Sequence, residues 1–162
     1  MIRIMSFLLF LFFVTSVMAE TKSVVVDFKT DQEYKDFCYS LKPVLTYVYK
    51  NITMDWIVNS TIRGTVDLNT ILVLANKEYN QNFESSFIKS DQSNLKELIK
   101  LSIDNGLPAL AKRKSPKQDQ GKWIVIIGHV DKMIDKLVMN DSRVAPFQEI
   151  FTKEIETVYI LK

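Results

Sequence analysis

The chain has 162 residues but one cysteine, Cys38, and one histidine, His129. A single cysteine excludes an intrachain disulfide, so the fold must be held by its core rather than by staples. One histidine and one cysteine are too few ligands for a Cys/His zinc site. With four glycines, there is no glycine-rich phosphate loop, and no nucleophile elbow or EF-hand spacing occurs. There is also no run of about 20 apolar residues, the length a spanning helix needs. Charge of one sign is not in surplus: 21 Lys and Arg stand against 19 Asp and Glu. A general nucleic-acid binder needs a basic excess to displace counterions, and this chain has none to offer.

What is present begins with a leader. Arg3, the apolar run Phe7–Val14 and the small-residue approach Val17-Met18-Ala19 give the n-region, h-region and cleavage site of a signal peptide over residues 1–19. The working chain then starts near Glu20, with no stable membrane insertion after cleavage. Asn51-Ile-Thr53, Asn59-Ser-Thr61 and Asn140-Asp-Ser142 are glycosylation sequons in keeping with a secretory route. The last residues, Tyr159–Lys162, do not form a Lys-Asp-Glu-Leu retrieval signal. Secretion and residence in the endoplasmic reticulum lumen both stay open.

Along the mature chain, Ser23–Phe28 reads as a strand, and Thr30 with Glu33 forms a capping box. The helix it opens puts Tyr34, Phe37, Cys38 and Leu41 on one face, which makes Cys38 a buried, inert thiol. Pro43 ends that helix, and the β-branched and aromatic run Val44–Tyr49 predicts a second strand; a kinked continuation of the helix is the competing reading. A helix is expected over 68–80 with Asp67 as N-cap, and 83–89 is either a third strand or the end of the same helix. A helix opens at Ser90-Asp91 and stops at Asn105-Gly106. Ala109–Ala111 is a short strand, 112–122 a basic loop, and Trp123–Ile127 a strand buried on both faces. Asp131 then caps a helix carrying Met133, Ile134, Leu137 and Val138. Pro146 starts another with Phe147, Ile150, Phe151 and Ile155 inward, before a last strand near 158–161.

This order of elements resembles the thioredoxin fold. Val26-Asp27-Phe28 with Asp31–Phe37 resembles the first strand and helix of protein disulfide isomerase domains, and Lys42–Tyr49 looks like their lysine-proline-led central strand. Asn105-Gly106-Leu107-Pro108-Ala109 resembles the turn that carries the family's cis-proline. The resemblance implies an α/β domain over residues 20–140, with a thioredoxin-like mixed sheet flanked by helices. A C-terminal helix–strand extension, 141–162, packs on it. Thr53-Met54-Asp55-Trp56 falls where active members carry Cys-x-x-Cys. Without those thiols no mixed disulfide forms, so the resemblance implies a redox-inactive domain with no cofactor, no metal and no catalytic residue. Its use would be to hold polypeptide or a partner protein. Thr53, Trp56, Leu107 and Pro108 would line the groove, and the backbone before a cis-Pro108 would lie open to strand addition.

Two further readings stand beside it. The cluster Lys112, Arg113, Lys114 and Lys117 is a solvated loop, a dibasic processing site, or the contact for an anionic partner in a secreted interaction protein of unrelated α+β fold. His129, beside Gly128 at a strand end, is either structural or the centre of an enzyme.

Overall fold

A computed structural model describes residues 25–61, 65–89, 94–130, 136–143 and 146–162. The expected signal peptide lies outside the described residues. Strand β1 (Val25–Asp27) leads through the N-cap Thr30, whose hydroxyl accepts from Glu33 N–H at 3.1 Å, into the long helix α1 (Asp31–Tyr49). The expected second strand over 44–49 is corrected: α1 runs straight through Pro43. A proline inside a helix costs about 3 kcal/mol. Against that cost, Phe37, Cys38, Leu41, Val44, Leu45 and Tyr49 form one continuous buried stripe. Burying each large apolar side chain contributes about 1.5–3 kcal/mol. The stripe outweighs the local preference of the β-branched run.

Helix α2 (Met54–Ser60) and strand β2 (Thr65–Asp67) follow, and β2 pairs antiparallel with β1, with Val26 opposite Val66. Helix α3 (Leu68–Tyr79) is capped by Asp67 as expected and ends at Asn80 in the left-handed conformation, φ 51°. Strand β3 (Ser85–Lys89) bears out the strand reading of that segment. Helix α4 (Leu95–Asp104) ends in a Schellman turn: Gly106, at φ 77°, donates to Ile103 O, and Leu107 donates to Ser102 O.

The rest is sheet: β4 (Ala109–Arg113), β5 (Trp123–His129), β6 (Lys136–Asn140), β7 (Gln148–Phe151) and β8 (Ile155–Leu161). Two expected helices are corrected here. The one capped by Asp131 has its first turn outside the described residues, and from Lys136 the chain is a strand. The one opened by Pro146 is replaced by β7. In β6 the burial alternates, with Leu137 and Met139 in and Lys136, Val138 and Asn140 half-out, which is the period of a pleat. In β7, Ile150 is buried while Phe151 is 41 % exposed, and Phe147, just before the strand, is 72 % exposed, so the aromatics expected inward point out.

The six strands lie in the order β3-β8-β4-β5-β6-β7, every pair antiparallel. The coarse expectation of a mixed α/β chain holds, with four helices and two antiparallel sheets among the described residues. The finer thioredoxin-like order does not appear: β1 pairs with β2, 44–49 is helical, and β5 lies in the other sheet. Nor is 141–162 a helix–strand addition, because β8 sits between β3 and β4 inside the sheet. Residues alternate across β5 as a doubly buried strand requires. Trp123 and Val125 pack with Phe37, Leu41 and Leu45 of α1, whereas Ile124 and Ile126 pack with Leu95 and Ile99 of α4.

Candidate binding cleft

The α4 turn positions an apolar hollow. Leu107 and Pro108 leave α4 beside the second half of α1, where Pro43 and Tyr47 face them. Val125 and Ile127 of β5 form the floor, and Asn140 at the end of β6 closes one side. The cavity holds about 260 Å³. Tyr47 is 60 % exposed at its rim, and Tyr39, two turns earlier on α1, is 56 % exposed. Side chains at i, i+4 and i+8 share a helix face, so Tyr39, Pro43 and Tyr47 form one ridge leading to the cleft. Besides its φ, Gly106 sits close to Tyr47: a Cβ there would lie 3.2 Å from Tyr47 Oη, so the ring would have to shift slightly to admit one.

Two of the four expected groove residues, Leu107 and Pro108, line this cleft; the other two do not. Thr53 caps α2, accepting from Trp56 N–H at 3.1 Å. Trp56 packs edge-on to Tyr79 and donates from Nε1 to Glu78 Oε2 at 2.6 Å. The strand-addition role of the turn is also corrected. No cis peptide bond occurs among the described residues. The Leu107 N–H is committed to Ser102 O at 2.9 Å, and the Leu107 carbonyl accepts from the Ser102 hydroxyl at 3.0 Å. That backbone is spent on the helix stop, so the cleft offers side chains rather than a ladder.

The expected basic loop is not one patch. Lys112 and Arg113 belong to β4, and neighbours on a strand point to opposite faces. Lys112 lies over the Trp123 ring and pairs with Glu33 Oε1 at 3.2 Å. Arg113 is buried and pairs with Asp141 Oδ2 at 2.7 Å. Asp141 also accepts from the N–H groups of Gly121 and Arg143. Arg143 in turn grips Asp36, Nε to Oδ1 at 2.9 Å and Nη2 to Oδ2 at 2.7 Å, in the bidentate geometry that strengthens such pairs. Of the four, only Lys114 and Lys117 have no carboxylate partner among the described residues. Sequence reading missed Asp36 and Arg143. Asp36 had a signal, a carboxylate beside the buried stripe of α1; Arg143 had none.

Cys38 is buried as expected, and burial pushes its thiol pKa up, partly offset by hydrogen bonds from Tyr34 and Thr61. His129 Nε2 meets Asp104 Oδ1 at 2.8 Å, tying the end of β5 to the end of α4. Hydrogen bonds from Lys100 and then His129 hold the Asp104 carboxyl below its ordinary value. Asp131 falls outside the described residues, and no group of three His, Cys, Asp or Glu that could hold a metal occurs among those described. Of the sequons, Asn51 and Asn59 are exposed and Asn140 is half-buried. No family model matches the chain, and neither a curated protein nor a solved structure matches it.

Proposed function

We propose that the protein is a non-enzymatic binding protein of the secretory pathway, whose cleft takes apolar side chains from a segment of polypeptide or a partner protein. Redox-inactive thioredoxin-like domains, which the sequence resembles, also hold polypeptide, though by strand addition rather than through an apolar side-chain cleft. The proposal keeps that use and moves its site, since the antiparallel pairs give no counterpart to the family's parallel βαβ unit. The supporting observation is the ridge Tyr39–Pro43–Tyr47 running into a cleft walled by Leu107, Pro108 and Ile127. Tyrosines left more than half exposed beside a concave apolar site are what an interface uses, because they bring large area and a polar handle at low entropic cost. The basic-loop alternative loses support because Lys112 and Arg113 are already engaged by carboxylates.

The test is binding of the mature chain to an array of unfolded peptide segments. Tyr47→Ala should weaken capture about tenfold or more, the loss expected of an aromatic contact worth at least 1.4 kcal/mol. Lys114→Glu with Lys117→Glu should leave it unchanged. Capture that survives Tyr47→Ala and vanishes on the charge reversal would replace this reading with the anionic one.

A further inference from the structure

The fold treats the three sequons differently. Asn51 and Asn59 stand on the exposed surface around α2, away from the cleft, whereas Asn140 is part of its wall. The Asn140 carboxamide is held by one atom only. Its Oδ1 accepts from Phe147 N–H at 3.0 Å, and its Nδ2 makes no hydrogen bond among the described residues. Asn76 shows what a structural asparagine does instead, donating from Nδ2 to Phe83 O at 2.7 Å while Oδ1 accepts from Phe83 N–H at 2.9 Å. At Asn140, which lines the cleft, the oxygen is fixed, and the nitrogen, the atom that carries an N-linked sugar, has no partner among the described residues.

We infer that Asn140 is a glycosylated position whose first sugar ring occupies the cleft, so that sugar and polypeptide compete for one site. The inference rests on the secretory route and, for the competition, on the cleft being the polypeptide site. In the transfer, Nδ2 bonds to C1 of the first N-acetylglucosamine of a lipid-linked pyrophosphate donor. The C1–O bond breaks, its electron pair leaves with the pyrophosphate, and one Nδ2 proton is lost to solvent. The acceptor is read on the extended chain, so half-burial of Asn140 after folding is no barrier. Once the chain folds, a hexosamine at Nδ2 meets the kind of walls its two-sided chemistry suits. Leu107, Pro108 and Ile127 take its C–H face, and the Tyr47 ring and hydroxyl stand at the rim. A cavity of about 260 Å³ has room for a ring and not for a branched glycan, whose outer residues would extend into solvent.

The test uses the full precursor secreted from eukaryotic cells. Amidase release of N-glycans converts each glycosylated asparagine to aspartate, and peptide mapping then reads occupancy at Asn51, Asn59 and Asn140. Tyr47 accessibility is read separately by the rate of iodination. Ser142→Ala removes the sequon and leaves the Phe147–Asn140 hydrogen bond; Ser142 is exposed, so the fold is spared. The expected result is sugar on Asn140, Tyr47 iodinated several-fold faster in Ser142→Ala, and peptide capture about tenfold stronger in that variant. Sugar at Asn51 or Asn59 with Asn140 bare overturns the inference, as does an unchanged Tyr47 rate in Ser142→Ala; neither result touches the peptide-binding reading. An occupied Asn140 that shields Tyr47, with no peptide captured by either form, upholds the sugar in the cleft and removes the polypeptide.

Discussion

At the scale of single residues, the buried Arg113–Asp141 pair makes the sharpest demand on the sequence. Gly121 is needed here for close approach, since a Cβ would lie 2.6 Å from Asp141 Oδ1. Removing one partner of a buried pair leaves an uncompensated charge and costs about 3–5 kcal/mol. Arg113→Met should therefore lower the unfolding free energy read from a urea titration by that amount, and Arg113→Met with Asp141→Asn should recover part of it. A loss under about 1 kcal/mol in the single variant would mean that the backbone donors of Gly121 and Arg143 satisfy Asp141 alone, since that is the scale of one ordinary hydrogen bond. A second residue, Tyr49, tests burial through pH. Its phenol donates to Asn76 Oδ1 at 2.7 Å, and desolvation pushes its pKa up to about 12. The folded state thus holds the phenolic proton more tightly than the unfolded chain. The resulting stability is full below the unfolded value of about 10 and is lost as pH rises toward 12. Ultraviolet titration of the folded protein should show a phenol ionising in that upper range, and Tyr49→Phe should remove that step.

At the scale of elements, the legible parts of the sequence were those with one dominant local signal. Thr30 and Asp67 announce their helices through caps, Gly106 announces a stop, and Trp123–Ile127 is too apolar for anything but a doubly covered strand. The misread parts are those where two local signals conflict and tertiary packing decides. Pro43 and the β-branched run after it argue for a break, yet the buried stripe on both sides of Pro43 carries α1 onward. In 136–151 the apolar residues satisfy both a helical and an alternating spacing over so short a window. Only the pairing of β6 with β5, and of β7 with β6, selects the pleat. The cleft was half legible, because Leu107 and Pro108 are marked by the Gly-Leu-Pro turn while Tyr47 reaches them only through the continued helix. Pro43→Ala separates the two readings of this segment. In a helix it restores a backbone donor and should raise stability, by up to about 3 kcal/mol, with more helical signal in circular dichroism. If Val44–Tyr49 were a strand, the helical signal would not rise. Thr30→Ala should cost about 1 kcal/mol at the other end of the same helix.

At the scale of the whole molecule, the question is whether the last 22 residues decorate a domain or complete it. In the sheet, β8 joins β3 to β4, with Leu110 opposite Tyr159 on one side and Ile88 opposite Val158 on the other. Its side chains enter both cores: Tyr159 and Leu161 pack with the α1 side, while Ile155, Val158 and Ile160 pack with the α4 side. Burial of large apolar side chains contributes about 1.5–3 kcal/mol each. These five together are comparable to the about 5–15 kcal/mol that holds an ordinary domain folded. A chain ending at Asn140 would also leave β3 without its only described strand partner and expose one edge of β4. It should therefore show no cooperative unfolding transition in urea and should bind a hydrophobic dye. A cooperative transition in that shortened chain would mean that the core closes without β8, which the two-sided pairing of that strand does not allow.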